Sequence, residues 1–130
     1  MYTAVTRGIR VTVTPQYLEE ESRPAAGQYF FAYTVEITNL NPDRARLLRR
    51  YWRIVDGLGR VQEVRGAGVV GQQPALGPGE SFTYTSGCPL QTPDGTMQGH
   101  YEMESPDGEI FVADIPAFSL DSPHIKRSVH

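Results

Sequence analysis

Apolar and polar residues alternate along most of this chain with a period of two, as in strands that bury one face. Ile9, Val11 and Val13 fall on one parity and Arg10, Thr12 and Thr14 on the other, which predicts a half-buried strand near the N-terminus. Over residues 28–39, Phe31, Tyr33, Val35 and Ile37 alternate with Ala32, Thr34, Glu36 and Thr38. Aromatic and β-branched residues of this kind fit a pleated, half-buried surface. The charged stretch between these two strands, with Pro24 and Gly27, predicts an exposed loop over residues 19–27.

After a turn signal in Asn39, Asn41, Pro42 and Asp43, residues 47–56 place Leu48, Trp52 and Ile54 on one face. Arg49, Tyr51 and Arg53 fall on the other, and Trp52 is the expected core anchor. Asp56, Gly57, Leu58 and Gly59 predict a short turn into a strand over residues 60–65. Further strands are expected over 81–87, 97–105 and 109–115, the last two joined by Ser105, Pro106, Asp107 and Gly108. No apolar set recurs at helical spacing over three turns, and 13 Gly with 10 Pro interrupt the chain too often for a long helix.

Strands that each hide one face are satisfied by two packed sheets. The expected fold is therefore all-β, an immunoglobulin or fibronectin type III-like sandwich of about seven antiparallel strands. One domain is expected to span residues 1–130, with a mobile tail from residue 121. The run from Leu76 through Gly77, Pro78 and Gly79 to Phe82 and Tyr84 resembles the corner that carries a chain between the sheets of such sandwiches, where an aromatic can tie turn to strand.

Composition narrows the function classes. A net charge of −3 gives no general attraction to nucleic acid or acidic lipid. Cys88 is the sole cysteine, so there is no intramolecular disulfide, redox pair or cysteine-rich zinc site, and a reducing cytoplasm is the expected location. No apolar run reaches the length of a membrane span or a signal peptide, so a soluble protein without nucleic-acid or membrane partners is expected.

Three groups of residues are candidates for chemistry. Gly66, Gly68 and Gly71 fit the GxGxxG pattern, which binds pyrophosphate when a helix follows. Here Pro74, Gly77, Pro78 and Gly79 follow and deny the motif its helix, so Rossmann-type dinucleotide binding is not expected. What remains is an anion nest for phosphate, pyrophosphate or a dinucleotide polyphosphate, or glycines that simply permit a tight backbone. Arg44, Arg46, Arg49, Arg50 and Arg53 concentrate positive charge, and Arg49, Tyr51 and Arg53 share a face able to grip phosphate, carboxylate or a stacked base, an acidic protein partner being favoured over nucleic acid. A solvated surface paired with neighbouring acids is the plainer alternative. His100, His124 and His130 lack ligand spacing, and alternation sends His100 outward with Glu102 and Glu104, so no metal site is expected. Ser86 and Cys88 lack an evident base or oxyanion partner, so no catalytic residue is assigned.

The block from Arg50, Tyr51, Trp52 and Arg53 to Asp56, then Val64 through Gly71 to Pro74, resembles the ApaG family. The resemblance continues through Gly95, Thr96, Met97, Gln98, Gly99, His100 and Tyr101 to Pro116, Ala117, Phe118, Ser119 and Leu120. It implies a fibronectin type III-like sandwich and a bacterial protein associated with cobalt tolerance and magnesium efflux. The family name comes from the neighbourhood of a diadenosine-tetraphosphate hydrolase gene. Related domains form parts of eukaryotic F-box and DNA-polymerase-delta-interacting proteins, which favours a binding module; the resemblance does not imply an enzyme activity. The expectation is a non-enzymatic interaction or regulatory module, monomeric or homodimeric, without cofactor, presenting sheet edges and loops to an unidentified protein partner. The alternative is a binder of phosphate-containing small molecules through the Gly66 to Gly71 loop.

Overall fold

Alternation becomes two antiparallel sheets in the computed structural model, which describes residues 1–123. The strands are β1 (Tyr2–Thr6), β2 (Ile9–Tyr17), β3 (Tyr29–Asn39), β4 (Ala45–Asp56), β5 (Val61–Ala67), β6 (Ala75–Leu76), β7 (Ser81–Leu90), β8 (Asp94–Glu104) and β9 (Ile110–Asp121). One sheet has the order β1-β2-β3-β7; the other has β5-β4-β8-β9, with β6 also paired to β4. The 19–27 loop contains a single turn of 3-10 helix over Pro24–Ala26. No helix among the described residues is long and apolar enough to cross a membrane.

Two strands exceed the seven expected. The N-terminal alternation is broken by a hairpin turn at Arg7 and Gly8, whose φ angles of 51° and 78° are both positive. Two such residues give the turn whose twist suits a two-residue hairpin. The Asn41 side chain holds it by donating to the Arg7 carbonyl at 2.8 Å. The other addition, β6, is two residues long. At the C-terminus, Asp121 closes β9, and Ser122 is buried with its N–H donating to the Pro93 carbonyl. The expected tail therefore cannot begin at residue 121. Its remainder, residues 124–130 with His124 and His130, lies outside the described residues.

Two bulges set which side chains face inward. In β4 the register shifts between Leu47 and Arg49, so Ala45 and Leu47 are buried on one side of it and Trp52 and Ile54 on the other. An extra residue reverses parity. Leu48, expected inside with Trp52, is only half-buried, and Arg50 acquires the inward parity instead. In β9 the pairing with β8 shifts near Pro116, and burial passes from Ile115 to Phe118.

Trp52 lies at the centre of the core, edge-on to Tyr33 with centroids 5.1 Å apart and to Phe118 at 5.9 Å. These contacts join β4 to a strand of each sheet and each contribute about 0.5–1.5 kcal/mol beyond burial. Tyr84 departs from its expected role. Its hydroxyl does not tie the corner to its strand but meets the Tyr101 hydroxyl of the opposite sheet at 2.5 Å. The corner is held by the fully buried Asn39, whose amide donates to the carbonyls of Asp43 and Leu76, both at 2.8 Å.

The sandwich has unlike flanks. On one, β1 and β2 pack closely against β9; on the other, the edge strands β5 and β7 stand apart without comparable contact.

Candidate functional site

The outer face of β4 is crossed by a row of side chains from three strands. Tyr51 lies opposite Arg65 of β5 and opposite His100 of β8 in the strand registers. Aligned registers put side chains on one face within reach of each other. The Arg65 guanidinium stands 4.7 Å over the Tyr51 ring, and the His100 ring lies 5.0 Å from it at 31°. The Tyr51 hydroxyl donates to Glu63 Oε2 at 2.8 Å, and Arg65 also reaches that carboxylate at 3.2 Å. The Tyr51 hydroxyl and then the Arg65 charge hold the Glu63 carboxyl below its ordinary range, and Glu63 in turn raises the Tyr51 phenol. Glu102 takes Arg49 Nε at 2.5 Å.

Tyr51, Arg65 and His100 border a depression of about 570 Å³ whose lining also holds Arg49, Arg50 and a single carboxylate, Glu102. Arg49 and Arg65 are paired with Glu102 and Glu63, Arg50 is in neither pair, and Tyr51 and His100 supply aromatic surface. Arg53 shares the outer face with Arg49 and Tyr51 but borders a different hollow, with Gln98 and Asp114. Arg44 lies beside Asp43 and Asp107 at another end of the sandwich. The five-arginine cluster of the sequence is thus distributed over several places. Sequence reasoning missed Arg65 and Glu63 as members of the site; the detectable signal was their period-two spacing in a strand beside the Tyr51 strand.

The glycine pattern occupies the end of β5 and the turn after it. Gly66 is within the strand, paired with Arg50. The Gly68 N–H donates to the Leu48 carbonyl at 2.8 Å, and Val69 and Gln72 exchange backbone bonds at 2.8 and 2.9 Å. Between them Val70 and Gly71 have φ of 43° and 79°, a tight turn of the same hand as that at Arg7 and Gly8. The Gly68, Val69 and Gln72 amides thus already serve backbone carbonyls, leaving Val70 and Gly71 at the exposed tip. Arg50 Nη1 donates to the carbonyls of Ala67 and Gly68 at 3.0 and 2.9 Å. A Cβ on Gly68 would stand 2.1 Å from the Gln72 carbonyl oxygen, so only glycine permits this closure.

The other candidates are less concentrated. Among the described residues no group of three or more His, Cys, Asp and Glu side chains could hold a metal ion. Cys88 faces the core, and burial pushes its thiol up to about 11. A thiol protonated at neutral pH is a poor nucleophile.

The ApaG domain family model matches residues 19–105, two-thirds of the chain. The chain belongs to the ApaG family. The Protein ApaG of Methylobacterium sp. (strain 4-46) is 68% identical over 130 residues and that of Methylobacterium nodulans 67%, each alignment covering the whole of both chains. The crystal structure of a Bordetella pertussis protein described as ApaA has a TM-score of 0.87 at 54% identity, covering 90% of this chain and 95% of that one. The region matched by the ApaG model contains β3 to β8, and with them the Tyr51 row and the glycine turn. β1, β2 and β9 fall outside it and are covered by the full-length ApaG relatives.

Proposed function

We propose that this ApaG-family protein is a non-enzymatic binding module whose outer sheet face receives an acidic segment of a partner protein. The Arg65, Tyr51 and His100 row carries the reading: an aromatic platform flanked by guanidinium groups suits carboxylates borne on an apolar backbone. Charge favours an acidic occupant, since Arg49, Arg50 and Arg65 border the depression against Glu102 in its lining and Glu63 beside it. Any link with cobalt tolerance or magnesium efflux would in this reading run through the partner.

A second reading, a phosphate or pyrophosphate seated near Gly66 and Ala67, draws support from Arg49 and Arg65 bordering the same depression. One titration separates the two. An acetylated peptide of alternating glutamate and phenylalanine is expected to shift the Tyr51, Arg65 and His100 resonances in a salt-dependent manner, and Arg49→Glu with Arg65→Glu to abolish the shifts. Pyrophosphate shifting Val70 and Gly71 while the peptide shifts nothing would reverse the ranking. Silence towards both ligands would remove this face from consideration.

A further inference from the structure

The bulge in β4 has an effect on the inner side of the sheet as well. It gives Arg50 the inward parity of Trp52 and Ile54, and Arg50 borders a cavity of about 220 Å³ with Tyr33, Trp52, Ser86, Cys88 and Met97. Gly66 lies opposite Arg50 across the strand pair, and a Cβ there would come within 2.8 Å of the guanidinium. The glycine therefore makes room for the arginine beside the edge strand.

Arg50 is the one charged residue in this cavity lining. Its recorded hydrogen bonds go to two neutral carbonyls, and it belongs to none of the four ion pairs found among the described residues. Its charge reaches inward, acting on the Tyr33, Tyr84 and Tyr101 phenols against the stronger effect of burial. A guanidinium has five donors in a rigid fork, and two bonds to carbonyls leave room for a carboxylate. Arg50 is half-buried, and a cation gains from a counter-charge to the extent that it is desolvated.

The rest of the cavity specifies the body of such a ligand. Trp52, Ile54, Val64 and Met97 supply apolar walls, and Ser86 supplies a hydroxyl. A cavity of about 150 Å³ holds benzene, so this one has space for a ring and a carboxylate together. Ile54, Gln62 and Pro89 border both this cavity and a neighbouring depression of about 440 Å³ on the open flank, which provides a way in.

We propose that the cavity between β5 and β7 binds a small aromatic carboxylate, with its carboxylate on Arg50 and its ring against Trp52 and Met97. This site goes beyond the outer-face reading, although Arg50 borders both hollows. The two are distinguished by which aromatic residues respond.

Benzoate is the probe and benzamide its neutral counterpart, titrated into the full chain. Trp52, the sole tryptophan, supplies a fluorescence signal, and the Met97 methyl an NMR signal. Saturable changes at both are expected with benzoate, and affinity for benzamide about tenfold weaker or worse, as befits loss of a charge-assisted pair. Arg50→Gln is expected to erase that preference, and Ser86→Leu to block benzoate by filling the cavity while leaving Arg50 in place. Arg49→Glu and Arg65→Glu should leave benzoate binding within about twofold. Equal affinity for the two ligands, shifts confined to Tyr51 and His100, or no saturation by about 50 mM benzoate would each overturn the proposal. The wild-type comparison of benzoate with benzamide decides the matter even if the Arg50 variant fails to fold.

Discussion

The two flanks of the sandwich are built from the same kinds of strand and end differently. Where β1 and β2 meet β9, side chains from both sheets interdigitate: Phe118 contacts Tyr2, Tyr33 and Trp52 with ring centroids 5.9 to 6.1 Å apart. Where β5 and β7 face each other, Val64 and Phe82 are only partly buried, and a charged residue, Arg50, lines the cavity beside Val64. The first flank is organised by packing; the second keeps an opening at some cost in burial. A sandwich of this size can leave one flank unfilled because the other closes the core.

The contrast is sharpest in truncations. Phe118→Ala on the closed flank is expected to cost about 3–5 kcal/mol, because it removes a ring shared by three aromatic neighbours. Val64→Ala on the open flank should cost under about 1.5 kcal/mol, since solvent already reaches its site. Urea unfolding of both variants checks the ordering, and equal losses would remove the distinction between the flanks.

The Tyr84–Tyr101 contact tests whether the sheets are also joined by polar means. Tyr101→Phe leaves the buried Tyr84 hydroxyl without its partner and should cost about 1–3 kcal/mol, while the double Phe variant should recover part of that loss. Burial raises the phenol pKa of both tyrosines, and it raises the Cys88 thiol from 9.0 to about 11. All three are neutral acids in the fold, so the unfolded chain releases their protons first. Stability is complete below about pH 9, falls as pH rises through 9 to 11 with the thiol, and goes on falling above 10 with the phenols. Urea midpoints measured across this range should show the decline, and the double Phe variant should soften its upper part.

The smallest expected effect lies in the glycine turn. Val70 is β-branched and exposed, yet it holds a φ of 43°. Replacing it with Asn or Gly is expected to raise stability by about 1 kcal/mol, because left-handed backbone is costly for a branched side chain. A thermal melt is sufficient to see it. A loss of stability would mean that the Val70 side chain contributes packing that its exposure conceals.

Much of the fold was legible because alternation is a local signal. Phe31, Tyr33, Val35 and Ile37 are buried as their parity required, and Ile9, Val11 and Val13 likewise. The bulges were not legible. One extra residue at Leu48 turns Ala45 and Leu47 inward on the opposite parity from Trp52 and Ile54, a change of face within one strand that leaves composition unaltered. The hairpin at Arg7 was hidden because arginine is an unusual occupant of its position. Tyr51 was legible as an exposed aromatic between arginines, but its real neighbours, Arg65 and His100, come from other strands and required the register. The glycine pattern was plain in the sequence, whereas the fate of its amides depended on Leu48, far away along the chain.

The proline in β7 has a further consequence for how this molecule behaves among copies of itself. Pro89 lies within an edge strand, paired on one side with Phe30. A proline is accommodated in a ladder when its nitrogen faces solvent, so the free border of β7 lacks a donor there. On the opposite border of the gap, Glu63 and Arg65 place charges along β5. An incoming strand would meet a missing hydrogen bond on one side and ionised groups to desolvate on the other. The gap between these two borders is therefore a poor template for filaments.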